Sequence, residues 1–105
     1  MERPELTIVV RRMPGETVLA LSGEVDLSTA GQLSAVVTNL LLDPPPRVVL
    51  DMSGVTFCDS QGLGTLVVLS RRARLAQSYL VLTNVADFLM RVLDITGLRP
   101  ALMIH

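Results

Sequence analysis

Two short runs rich in β-branched and aliphatic residues, Leu6-Thr7-Ile8-Val9-Val10 and Thr17-Val18-Leu19-Ala20-Leu21, lie on either side of Pro14-Gly15-Glu16. Such runs around a Pro-Gly turn signal predict an antiparallel hairpin. After Gly23-Glu24-Val25-Asp26 the pattern changes period, with apolar residues at Ala30, Leu33, Val36, Val37, Leu40 and Leu41. That spacing marks one face of a helix, and Asp26 or Ser28 is placed to cap its start. Pro44-Pro45-Pro46 ends the helix, because proline lacks a backbone donor and clashes with the preceding turn. Val48 to Met52 then reads as a buried strand, and Ser53 to Asp59 as a short loop. From Ser60 to Leu69 a second helix is predicted, with apolar residues nearly all round and cations following at Arg71, Arg72 and Arg74. Tyr79 to Thr83 is the next strand. Val85 to Thr96 carries Leu89, Val92 and Leu93 on one helical face before Gly97, a natural left-handed stop. Leu102 to Ile104 forms a last short strand. The order ββαβαβαβ, with right-handed crossovers, predicts an α/β fold: a mixed sheet whose later strands run parallel, packed against helices, in a single domain spanning 1–105.

Composition agrees with one folded unit. The chain has 105 residues, half of them apolar and 18% charged, with a mean hydropathy of +0.51, the reverse of the polar, highly charged signature of disorder. It has one cysteine, Cys58, and one histidine, His105. Neither an internal disulfide nor a Cys/His zinc cage can be built from them. A catalytic triad would have to rest on a histidine at the last residue. All nine cationic residues are arginine, which removes lysine Schiff-base chemistry and the phosphate-binding lysine of nucleotide loops. No cofactor is expected. A net charge of −1 gives no electrostatic footprint for nucleic acid, and three per cent aromatics offer few stacking platforms. No apolar run approaches the ~20 residues needed to cross a bilayer, and Met1 to Arg12 does not read as an export signal, so the expected location is cytoplasmic and away from the membrane.

In a parallel α/β sheet, functional groups collect at the carboxyl ends of the strands, which places Ser53 to Ser60 where chemistry is expected. Cys58 has no arginine or histidine nearby in sequence to activate a thiolate, so it reads as a small buried hydrophobe. Gly62 and Gly64 fail the dinucleotide pattern at Val67 and read as points of close helix-to-sheet packing. Of Asp59 and Ser60, either can cap the helix by accepting a backbone N–H. A serine exposed at a helix amino end is also a position where a phosphate is tolerated. The arginines at 71, 72 and 74 read as a solvated helix end favourable to the dipole, with a partner contact the lesser alternative.

Three segments carry a resemblance: Gly23-Glu24-Val25-Asp26-Leu27-Ser28-Thr29-Ala30, Leu50 to Leu66 with Asp59-Ser60-Gln61-Gly62-Leu63-Gly64 at its centre, and Arg91 to Leu98. In this order they resemble the successive motifs of STAS domains, specifically bacterial anti-sigma factor antagonists. The resemblance implies a partner switch in transcription regulation: the unphosphorylated protein binds an anti-sigma factor, itself a serine kinase, and frees its sigma factor. It further implies that this kinase phosphorylates Ser60, that a PP2C-type phosphatase reverses the mark, and that Asp26, Asp59, Gln61 and Gly62 belong to the kinase contact. Gln61 departs from the Ser, Thr or Ala common in the family, a change to the contact surface more than to the acceptor. On this reading the protein is a phosphoryl acceptor and binding module, not an enzyme. The competing reading is a non-switching STAS regulatory or scaffold subunit of a transporter or sensory complex; a weak homodimer is compatible with both.

Overall fold

The structure, a computed structural model, describes residues 5–105. Met1 to Pro4, on which the reading of the amino terminus partly rests, lie outside the described residues. Strands β1 (Leu6–Met13) and β2 (Glu16–Val25) form the hairpin. There follow α1 (Ala30–Leu40), β3 (Arg47–Cys58), α2 (Ser60–Leu75), β4 (Tyr79–Thr83), α3 (Asp87–Thr96), a 3-10 turn at Arg99–Ala101 and β5 (Met103–Ile104). The five strands lie side by side in chain order. β1 and β2 are antiparallel, and every later neighbour is parallel. This is the expected mixed α/β sheet.

Because each crossover moves one strand along in the same direction, right-handed connections put all three helices on one face of the sheet. The core lies between. Leu19, Leu50 and Leu82 sit opposite one another across β2, β3 and β4, all fully buried beneath Leu33, Val37, Leu66, Leu69 and Leu93 from the helices. Burying one such side chain stabilises the fold by about 1.5–3 kcal/mol. The next row along the strands, Val18, Val49 and Val81, faces the opposite way. Two contiguous hollows of about 480 and 110 Å³ lie on that second face and share Arg47, Val81 and His105. They begin near the amino ends of β3 and β4, remote from Ser60. Gly97 stops α3 in the left-handed region at φ 73°, as its position predicts.

One expectation is corrected. Ser53 to Asp59 is not a loop, because β3 continues to Cys58 alongside β2. The pairing slips between Ala20 and Ser22 and again between Gly23 and Glu24. Ser53-Gly54 resembles a turn in sequence, yet here the glycine marks a close backbone approach at a bulge. A Cβ at Gly54 would meet the Ser22 hydroxyl and come within 2.7 Å of the Leu21 carbonyl oxygen. The longer strand carries its residues up to the very start of α2.

Gly62 and Gly64 part company in the same way. A Cβ at Gly62 would run into the Val25 carbonyl and reach Cys58 Sγ at 3.0 Å, so this glycine is the expected point of close packing. Gly64 is not. It is exposed, and a Cβ there would have nothing within 4 Å. Gly62→Ala should therefore lower stability by about 1–3 kcal/mol through overpacking. Gly64→Ala should raise it by about 0.5–1 kcal/mol through helix propensity alone. Urea unfolding of the two variants beside the parent chain checks both signs.

Candidate functional site at the start of helix α2

The site lies where β2 and β3 end and α1 and α2 begin. Asp59 is the N-cap of α2, with extended backbone, and its Oδ1 accepts the Gly62 N–H at 2.8 Å. The Asp59 carbonyl accepts the Leu63 N–H at 2.9 Å. Of the two candidates for the cap, the aspartate is the one that serves. Ser60, one residue on, is exposed at the first helical position. The helical turn explains this division: Gly62 and Leu63 face the sheet and are buried, which turns Ser60 and Gln61 outward. The first turn of a helix leaves N–H groups without intrahelical partners, and the dipole there favours negative charge. An anion on Ser60 is thus compatible with the fold.

The second carboxylate oxygen of Asp59 reaches across to the segment between β2 and α1, where Oδ2 accepts the Leu27 N–H at 3.2 Å. That segment is organised by Asp26. Its Oδ1 accepts the Ser28 N–H at 2.9 Å, the Ser28 hydroxyl at 2.6 Å and the Thr29 N–H at 3.2 Å. Thr29 Oγ1 accepts the Asp26 N–H at 3.0 Å and donates to the Glu24 carbonyl at 2.8 Å. The Ser28 hydroxyl, foremost, holds the Asp26 carboxyl below the ordinary carboxylate range, against a smaller opposing effect of burial. Asp26 therefore organises the turn that precedes α1, whose first helical residue is Ala30. It is buried and presents little surface of its own.

The residues singled out in sequence are thus brought to one corner, in different roles. Ser60 and Gln61 are exposed, Asp59 is half-buried, and Asp26 and Gly62 are buried. Gly62 belongs to the helix–sheet contact and does not present a side of the helix to a partner. Cys58 lies beneath the corner as a free, buried thiol, its pKa pushed up to about 12 by burial first and then by the charges of Asp59 and Asp26. It is a packing residue, as expected. Among the described residues, no group of three or more His, Cys, Asp or Glu side chains converges as metal ligands, and no helix is long and apolar enough to cross a membrane. Leu27, which the sequence offers only as one residue of a motif, stands out in the structure because it is exposed while its backbone is pinned.

This geometry coincides with a family. Residues 8–104 match the family model described as Mlab, STAS domain, and the chain belongs to the STAS domain family. Among curated relatives it is 36% identical over 73 residues to the anti-sigma-F factor antagonist RsfB of Mycobacterium tuberculosis, covering 69% of this chain and 60% of that protein. The chain therefore matches less than two thirds of that relative's length. The anti-sigma-B factor antagonist of Listeria monocytogenes is 32% identical over 84 residues, 80% of this chain and 74% of the relative. An anti-sigma factor antagonist from Mycobacterium paratuberculosis superposes with a TM-score of 0.84 at 27% identity, over 96% of this chain and 86% of that one. The unphosphorylated form of SpoIIAA gives 0.73 at 16% identity, over 94% and 87%. The phosphorylated form gives 0.71 at 20% identity, over 94% and 91%. These last two are likenesses of fold.

Two consequences can be measured. Asp59→Ala should cost about 1 kcal/mol in urea unfolding, the ordinary worth of a lost cap, whereas Ser60→Ala should stay within about 0.5 kcal/mol of the parent. Because the Cys58 pKa is raised in the folded chain, the thiol stays protonated there after the unfolded chain has ionised. Its contribution to stability is present below about 9 and is lost as pH rises from there towards about 12. Alkylation of the native protein by iodoacetamide at pH 8.5 should accordingly run at least about 100-fold slower than that of the urea-unfolded chain.

Proposed function

We propose that this protein is an anti-sigma factor antagonist that works by partner switching. Its unphosphorylated form binds an anti-sigma factor that is also a serine kinase, and so releases the sigma factor that the kinase holds. The kinase, with its own ATP and Mg²⁺, transfers a phosphoryl group to Ser60 and ends the association; a PP2C-type phosphatase restores the binding form. The protein itself is an acceptor and a binding module in the cytoplasm, not an enzyme. The observation that carries this reading is the placement of Ser60: exposed on the first turn of α2, directly after the Asp59 cap, within the motif that resembles the family's phosphorylated segment.

The physical effect of the mark follows from the corner it enters. A phosphate adds about −1.5 to −2 charge at pH 7, beside Asp59 and the buried Asp26. The helix amino end accommodates that charge, so the free fold is little altered. A partner that has to desolvate the same corner meets an unpaired charge, which costs about 2–5 kcal/mol, or roughly 30-fold to several-thousand-fold in affinity.

The test is to purify the protein from its own cells with its bound partners and map the peptide from Cys58 to Arg71 for a phosphate-sized mass increase. Phosphate on Ser60, with an ATP-binding partner accompanying only the unmodified fraction, is the expected result. Ser60→Ala should then hold the partner constitutively, and Ser60→Asp should bind it poorly. A Ser60 unmodified under every condition, with the partner bound regardless, would show a scaffold subunit instead.

A further inference from the structure

Leu27 is 72% exposed, at a turn position where small polar residues are the usual occupants. Three other aliphatic side chains are more exposed, namely Leu42, Leu75 and Ile95. They lie at or near the carboxyl ends of α1, α2 and α3, at the opposite end of the domain from Ser60. What separates Leu27 from them is its fastening. Its own N–H is held by Asp59 Oδ2 at 3.2 Å, and the residues on either side are locked by the Asp26, Ser28 and Thr29 hydrogen bonds. The backbone is ordered before any partner arrives, which lowers the entropy lost on docking.

The charges around it supply the second observation. Ion pairs among the described residues join only Arg47 to Glu16 and Arg99 to Asp94. Glu24, Asp26 and Asp59, on the segments that frame Leu27, have no cationic partner within the described chain. Asp59, without a cationic partner in the described chain and bonded to the Leu27 N–H, sets a negative charge beside a pinned apolar projection, and that pairing is complementary to one kind of surface: an apolar socket edged by arginine or lysine.

From this we infer that Leu27 is the apolar anchor by which the protein seats in the anti-sigma factor, and that the partner's socket carries a cation at its rim facing Asp59. The inference rests on the partner-switching reading and deepens it. Asp59 then serves two tasks with one carboxylate, capping the helix that displays Ser60 and holding the turn that displays Leu27. A phosphate on Ser60 falls beside the anchor, so it opposes docking at the point where the socket must close. Specificity among anti-sigma factors is set in part by the residue at position 27.

The experiment uses the full chain and the purified anti-sigma factor kinase recovered with Ser60→Ala. Its affinity is measured by calorimetry against the parent, Leu27→Ala, Leu27→Ser, Leu75→Ala and Ser60→Asp, with the thermal midpoint of each variant recorded. Leu27→Ala and Leu27→Ser should weaken binding by at least tenfold with an unchanged midpoint, while Leu75→Ala, at a still more exposed leucine at the far end, stays within twofold. Affinity for the parent should fall as salt is raised. Leu27→Ala binding within twofold of the parent while Ser60→Asp fails to bind would overturn the anchor and leave the switch standing. Ser60→Asp binding as well as the parent would remove the switch and the anchor's role in it together.

Discussion

The first turn of α2 has to come down onto the end of β2, and most of what is distinctive in this protein depends on that approach. It is possible only because position 62 has no side chain; a Cβ there would collide with the Val25 carbonyl. Once Gly62 and Leu63 are against the sheet, the geometry of the helix leaves Ser60 and Gln61 no direction but outward. Asp59 fixes the same approach from its edge, with one oxygen on the Gly62 N–H and the other on the Leu27 N–H. The exposure of the proposed phosphoacceptor and the shape of the neighbouring turn thus share one cause.

The electrostatics of α2 are consistent with this arrangement. Its amino end carries the carboxylate of Asp59, and its last turn carries Arg72 and Arg74, so both ends agree with the helix dipole. The same field that accepts Asp59 accepts a further anion on Ser60. On the proposed function, a modification at this point is nearly silent within the fold, and its consequences fall on whatever must cover the corner. A switch of binding without a switch of structure needs such a place: exposed, already ordered and electrostatically permissive.

The exposed Gly64 belongs to the same surface. A glycine in the middle of a helix costs about 1 kcal/mol relative to alanine, and nothing in the described chain lies close enough to account for it. It stands one turn after Ser60, on the side of α2 that the core does not use. Internal packing explains Gly62 and leaves Gly64 unexplained.

The order of elements was legible in the chain because it depends on local quantities. The switch from a two-residue to a 3.6-residue apolar period, the Pro-Gly hairpin, the triple proline and the Gly97 stop each act within a few residues. The family resemblance was legible too, because the motif at Asp59 to Gly64 is contiguous. Other features came only with the third dimension. β3 runs past Ser53-Gly54 because β2 lies alongside to pair with it, and a glycine that looks like a turn is there a point of contact. Asp59 rather than Ser60 became the cap, Gly62 and Gly64 took different roles, Asp26 turned inward, and Leu27 emerged as a pinned, exposed side chain. In each case the sequence names residues able to do either thing. For Gly54, Gly62 and Leu27 the choice is made by another segment some thirty positions away (as Leu27 is from Asp59) that comes within hydrogen-bonding or van der Waals distance, and for Asp26 and the Asp59 cap by hydrogen bonds to residues two or three positions on.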